Sequence, residues 1–338
     1  VIYAGGNFLL DLALANDLVV DITEDVNADP EWIGSYDDAA MKVNARDDKI
    51  YASSNEGSLI GYFYNKEMFE AAGIDAPAET WDEFFEDLDA LSAAGFTPLA
   101  MDTNGGGWVT TLLMGAMIAT SGEEGLATMN TLYPTDYCTE PVLDALTKIQ
   151  DMFANYTTVD AVGGGYENAA NNFFSENVAI IANGPWMIGD FSDTTKTSEG
   201  FDAKVGAAVF PGPYVYSDVI EGYFVTKQDD PALEEASIAM VKFFTNSDAQ
   251  QLALEMQGML PASPNVEITD AAKSTFPLLG EFLDLAAPVT ARGSTLGALM
   301  LPGVGDVQER ELSSLASGAS TPEEFCQALS DAAAKAAE

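Results

Sequence analysis

Six short runs of strand-forming residues, at 1–4, 50–52, 59–64, 178–182, 205–209 and 222–226, are spread along the chain with helical segments between most of them. That alternation predicts an α/β fold with largely parallel strands, a class in which ligands bind at strand ends and between domains. The helices carry their own start signals. In Thr80-Trp81-Asp82-Glu83 the threonine can cap the first amides while the glutamate reaches back, and Trp81, Phe84, Phe85, Leu88 and Leu91 follow at helical spacing before Gly95. A second box, Thr321-Pro322-Glu323-Glu324, opens a final helix carrying Phe325 and Leu329. Further helices are predicted over 231–244 and over 246–256, the latter ending at Gly258. At 338 residues and roughly 150 residues per domain, the chain is expected to form about two domains.

Charge and residue usage narrow the function classes. Thirteen Lys and Arg against 54 Asp and Glu give a net charge of −41, which repels nucleic-acid phosphates and anionic lipid headgroups. Yet 47 % hydrophobic residues are too many for a disordered acidic chain, so the charge must coat a folded body. With no histidine, Ser-His-Asp and Cys-His nucleophiles are excluded, along with the commonest metal ligand. Cys138 and Cys326 are too few for a four-thiolate metal site and too far apart for a redox Cys-x-x-Cys pair. They form a disulfide or are bystanders. No metal and no cofactor are expected, since the 21–25 acidic run lacks the glycine and terminal glutamate of a calcium loop. No apolar run reaches the roughly 18 residues of a membrane span, and the chain opens on a strand rather than an export signal.

Tyr64-Asn65-Lys66-Glu67-Met68-Phe69, then Thr80-Trp81-Asp82-Glu83-Phe84, then Phe96-Thr97-Pro98-Leu99-Ala100 follow one another in an order that resembles extracellular solute-binding proteins of family 1. These are the sugar-receptor subunits of ABC importers, a family that includes the maltose-binding proteins. Matches continue through Gly184-Pro185-Trp186, 205–213, Gly222 to Lys227, Gly258-Met259-Leu260-Pro261-Ala262 and 315–324. The resemblance implies a two-lobed periplasmic-binding-protein-like fold of type II, with a hinge between α/β lobes and the ligand in the cleft. One lobe is expected to take 1–60 and 218–275, the other 61–217 and 276–338. The family's opening strand-helix unit has no counterpart before Val1. The expected function is a non-catalytic sugar or oligosaccharide receptor that delivers its ligand to a transmembrane permease. It is expected to be a monomer, periplasmic or a tethered extracellular lipoprotein.

A sugar offers an apolar C–H face and a ring of hydroxyls, so its receptor needs flat aromatics and carboxylate or amide partners. Trp186, turned out of its strand by Gly184-Pro185, resembles the family's stacking tryptophan. Trp108, after Gly105-Gly106-Gly107, is placed at a loop-to-helix start where a side chain can face a ligand. Tyr3 and Asn7 flank Gly5-Gly6 at a strand end. Asn55 and Glu56 precede the strand leading to Tyr64, and Glu221 and Tyr223 flank Gly222. Arg292 can fork to two hydroxyls or form a structural ion pair, and Asp306 falls where relatives supply late ligand contacts. Tyr64-Asn65-Lys66 itself is read as a strand end and helix cap. Two rival readings keep the chemistry open: a glycoside hydrolase needs only a carboxylate pair, and the negative field would also suit a cationic solute such as a polyamine.

Overall fold

The computed structural model describes residues 1–3, 7–219, 222–301 and 303–336, and the side chains of Tyr3, Asn7, Phe8 and Asp218 are outside that description. The chain divides into two compact units, one of Val1–Leu59 with Ser217–Pro277 and the other of Ile60–Tyr216 with Leu278–Glu338. Two of the three boundaries fall within strands, Gly57–Asn65 and Tyr214–Val219, and the third at the start of the helix Pro277–Ala286.

In the first unit Tyr223–Phe224 lies between Ile2–Tyr3 and Ala52–Ser53, antiparallel to both. Val20, Ile22, Val26, Trp32, Ile50, Val225 and Val241 pack together beside this sheet, and Leu10, Ala13, Val19, Ala52 and Phe224 form a second cluster. The helix Pro231–Thr245, with Asp230 as its cap and proline in its first turn, buries only Val241 and Thr245. Leu233, Met240, Phe243 and Phe244 on the same helix are 38–65 % exposed, and Leu252 and Met256 of the next helix, Ser247–Gln257, are more than half exposed. Gly258 ends that helix at φ +72°, a left-handed turn that suits glycine.

The second unit is built on a mixed sheet. Gly57–Asn65 runs antiparallel to Val178–Asn183 and to Val205–Ala208, whereas Thr97–Leu99 is parallel to Val178–Asn183 and Ala291–Gly293 is parallel to Tyr214–Val219. The expectation of largely parallel strands is therefore corrected. Parallel pairs arise where helices carry the chain back between strands, as between Thr97–Leu99 and Val178–Asn183, but Gly57–Asn65 and the strands of the first sheet make antiparallel pairs. The mixed α/β class itself stands. The helix Trp108–Ala119 is buried from Val109 through Ala119, which fits a segment with no charged residue and apolar groups all round.

Local signals folded as read. Thr80 and Glu83 make both bonds of the capping box, and Thr321 with Glu324 repeats it. Asn65 caps the helix Lys66–Ala72 by accepting from the amides of Glu67 and Met68. Cys138 and Cys326 are bridged, with Cα atoms 5.1 Å apart across 188 residues of chain, so the loop before the helix Glu140–Asn155 is tied to the last helix, Pro322–Ala336.

Acidic crowding has a local cost. Burial first, and the charges of Glu83 and Glu86 second, push the Asp87 carboxyl up to about 6. A folded-state value above the unfolded one means the ionised group opposes folding above about pH 6, and this opposition fades as pH falls toward 4. Asp87→Asn is therefore expected to melt higher than the parent at pH 7 and at the same temperature near pH 4, measured by circular dichroism.

Candidate functional site

Two glycine triplets set the local geometry in the second unit. Gly105, Gly106 and Gly107 have φ of +64°, +86° and +60°, a run that side-chain-bearing residues avoid, and it delivers the chain to Trp108 at the start of the buried helix. Gly163-Gly164-Gly165, in which only Gly163 is left-handed at φ +87°, precedes Tyr166, the first residue of the helix Tyr166–Phe174. The amides of Thr103 and Asn104 both donate to the Gly164 carbonyl, at 2.9 Å, which ties the two triplets together.

Trp186 enters from a third element. The strand Val178–Asn183 ends at Gly184-Pro185 and turns into a short 3₁₀ segment, Pro185–Ser192, whose second residue is Trp186. The Trp108 and Trp186 rings are 6.2 Å apart between centroids and tilted by 53°, and each side chain is only partly buried. The Tyr166 hydroxyl accepts from Asn183 Nδ2 at 3.0 Å and contacts the Trp186 indole, while burial pushes its phenol pKa up. Asn183 is itself fully buried and also bonds its own neighbour, the Gly184 amide. The result is an aromatic corner of Trp108, Trp186 and Tyr166 held by amide and backbone groups.

Gly184 leaves the indole its space. A Cβ there would fall 2.2 Å from the Trp186 ring. Gly184→Ala is expected to displace that ring while the fold survives. The measurement is a thermal melt alongside tryptophan fluorescence: the transition should stay within a few degrees while the indole emission shifts.

In the first unit Asn55 and Glu56 occupy the segment between Ala52–Ser53 and Gly57–Asn65, on a base of buried polar bonds. Trp32 Nε1 donates to Ser53 Oγ at 3.0 Å, Ser53 Oγ to Thr245 Oγ1 at 2.8 Å, and Asn44 Nδ2 to Ser54 Oγ at 2.7 Å. Gly222 presses against this segment so closely that a Cβ would sit 1.7 Å from the Ser53 carbonyl oxygen. Tyr223 stacks at a tilt on Phe244, 5.5 Å between centroids. Its phenol pKa is raised by burial and then by the nearby Glu56 charge. Asn55 Oδ1 is buried and, among the described residues, has no hydrogen-bond partner.

The other candidates are placed elsewhere. Arg292 is committed to a helix end: its Nε donates to Val289 O at 3.0 Å and its Nη2 to Ala286 O at 2.8 Å, where the helix Pro277–Ala286 stops. Asp306 is exposed in the first turn of the helix Val304–Ala316. Glu221 lies outside the described residues, as do the side chains of Tyr3 and Asn7. Tyr166 was not anticipated, although Gly163-Gly164-Gly165-Tyr166 repeats the pattern that singled out Trp108. Among the described residues no group of three or more Cys, Asp or Glu is arranged to hold a metal.

Comparison with known proteins agrees with this architecture. A xylose/arabinose-binding protein, XacG, of Haloferax volcanii is 28 % identical over 222 residues, 63 % of this chain and 46 % of its own. A multiple sugar-binding protein of Streptococcus mutans is 23 % identical over 228 residues, 64 % of this chain and 51 % of its own. The chain thus spans about half the length of these curated relatives. Among solved structures, a chitin oligosaccharide binding protein superposes with a TM-score of 0.84 at 25 % identity, covering 99 % of this chain and 82 % of that one. A Streptococcus pneumoniae solute-binding protein, solved with the blood group A-trisaccharide, gives 0.80 at 19 % identity, covering 97 % and 82 % of the two chains. Residues 1–277 match the family described as bacterial extracellular solute-binding proteins, a family of binding proteins rather than enzymes, and the chain belongs to it.

Proposed function

We propose that the chain is the sugar- or oligosaccharide-binding receptor of an ABC importer, and that it binds without turnover. The observation that carries this reading is the pair of partly buried indoles, Trp108 and Trp186, 6.2 Å apart beside Tyr166. Flat faces at that spacing suit the C–H faces of sugar rings. Tyr166, whose hydroxyl already accepts from Asn183 and contacts Trp186, has its own proton to give to a sugar oxygen. In the first unit Asn55, Glu56 and Tyr223 supply hydroxyl partners. Tyr3, Asn7 and Glu221 are assigned to the same role by their place in the sequence. Arg292, bound to two carbonyls, and the exposed Asp306 are peripheral contributors at most. The named ligands of the relatives, pentoses and oligosaccharides, support a neutral saccharide over a cationic solute.

The lobe limits proposed are 1–60 with 218–275 and 61–217 with 276–338. The partner proposed is a transmembrane permease, and the receptor acts as a monomer outside the cytoplasmic membrane, tethered as a lipoprotein or free. The disulfide supports that location, because such bridges persist in oxidising compartments.

A thermal-shift screen against xylose, arabinose, xylotriose, maltotriose, raffinose and chitotriose tests the reading. A ligand at about 100 times its dissociation constant stabilises the folded state by about 2.7 kcal/mol, a clear rise in melting temperature. Release of reducing ends from an oligosaccharide by the purified chain would replace the receptor with a hydrolase. Spermidine shifting the transition while no sugar does would replace the ligand class.

A further inference from the structure

Asp102 is 0 % exposed, and its carboxylate sits at the head of the helix that begins with Trp108. The Thr110 amide donates to Asp102 Oδ1 at 3.1 Å. In return the Asp102 amide donates to Thr110 Oγ1 at 3.1 Å, and Thr110 Oγ1 donates to the Asp102 carbonyl at 2.6 Å. Three bonds thus join one residue before the left-handed glycines to one in the first helical turn. Trp108 lies between the two ends. The intervening loop is pinned from outside as well: Gln308 Nε2 donates to Gly106 O at 2.8 Å, Glu309 Oε1 accepts from the Gly105 amide at 3.0 Å, and a Cβ on Gly107 would meet Leu312 at 2.2 Å.

The clamp includes an uncompensated atom. Asp102 Oδ2 is buried and has no hydrogen-bond partner among the described residues. Burial outweighs the helix-start donors and pushes the carboxyl up to about 6. The helix Trp108–Ala119 carries no charge of its own. The charged groups on the elements packed around it are otherwise engaged or exposed. Asp160 accepts from Asn172, Glu309 from Gly105, Arg310 donates to Glu311, Lys148 pairs with Asp144, and Glu167 and Asp306 are exposed.

We propose that Asp102 is a positioning residue for Trp108: its buried carboxylate orients the first turn of the helix and with it the ring that meets the ligand, and protonation relaxes that orientation. This rests on the receptor reading for its effect on affinity, though not for its effect on the ring.

The test compares the parent chain with Asp102→Asn, which keeps one acceptor, places an amide at the unpartnered position and cannot ionise. Two readouts are taken from pH 7.5 to 5: the Trp108 indole N–H cross-peak, assigned through Trp108→Phe, and the dissociation constant for whichever screened saccharide binds. In the parent the cross-peak should move with a midpoint near pH 6, and affinity should fall about threefold to tenfold toward acid. In Asp102→Asn both should be flat, at the parent's acid limit. Thermal stability supplies a check on folding: the variant should melt higher than the parent at neutral pH and equally near pH 4, since only the ionised acid opposes folding. A Trp108 cross-peak that ignores pH, or one that titrates equally in both chains, overturns the positioning role. A parent chain that binds no saccharide while its cross-peak still titrates overturns the receptor reading and leaves the positioning role in place.

Discussion

Trp186→Ala is expected to weaken saccharide binding by about 30-fold to 100-fold with little change in the stability of the unliganded chain. Covering a large side chain is worth about 1.5–3 kcal/mol and aromatic geometry adds about 0.5–1.5 kcal/mol; because the ring is already partly buried, the loss falls at the lower end of that sum, roughly 2–3 kcal/mol, with tenfold for every 1.4 kcal/mol. The ring is partly exposed, so its removal empties no sealed core volume. Trp186→Phe keeps a flat face and should lose far less. Because Trp108 and Trp186 are ring neighbours at 6.2 Å, the double alanine variant should lose less than the sum of the two single losses. Isothermal titration calorimetry reads the parent, the two single alanine variants, Trp186→Phe and the double variant, and a Trp186→Ala chain binding every saccharide within threefold of the parent would remove Trp186 from the site.

Cys138→Ser with Cys326→Ser should lower stability by about 2–5 kcal/mol. The bridge closes 188 residues, and a cross-link of that span restricts the unfolded chain strongly, with about 5 kcal/mol the upper end. The native packing around it should persist, since Phe325, Leu329 and the buried face of the helix Glu140–Asn155 contribute apolar burial that does not depend on the bond. The expected signature is a melting transition lower by roughly 5–15 °C, reproduced in the parent by adding reductant. Equal melting temperatures with and without reductant would mean that the bridge contributes nothing.

What could be read from the sequence was whatever depended on neighbours in the chain. Thr80 with Glu83 and Thr321 with Glu324 are three residues apart, and Asn65 caps amides two and three residues away, so their chemistry is complete within one turn. Trp186 drew notice through its resemblance to the family's stacking tryptophan, and the bend expected at Gly184-Pro185 is present in the fold. Asp102 was not, because among 54 acids nothing marks the one that is fully buried. Whether Cys138 and Cys326 pair depends on the packing of the final helix against the segment before Glu140, a contact with no local signature. Strand direction was misjudged for a similar reason, since alternation of helix and strand says nothing about Gly57–Asn65, whose two antiparallel partners come from distant parts of the chain.

The exposed Leu233, Met240, Phe243 and Phe244 of the Pro231–Thr245 helix have a practical outcome for anyone handling this chain. With 41 surplus negative charges, copies repel one another in dilute buffer. Raising ionic strength from 0.1 M to 1 M shrinks the reach of that repulsion from about 10 Å to about 3 Å. Strongly salting-out ions also sharpen the tendency of uncovered hydrocarbon to leave water. Concentrated stocks should therefore keep best in low-sulfate, low-salt solution, with turbidity in ammonium sulfate beginning at Phe243 and its neighbours.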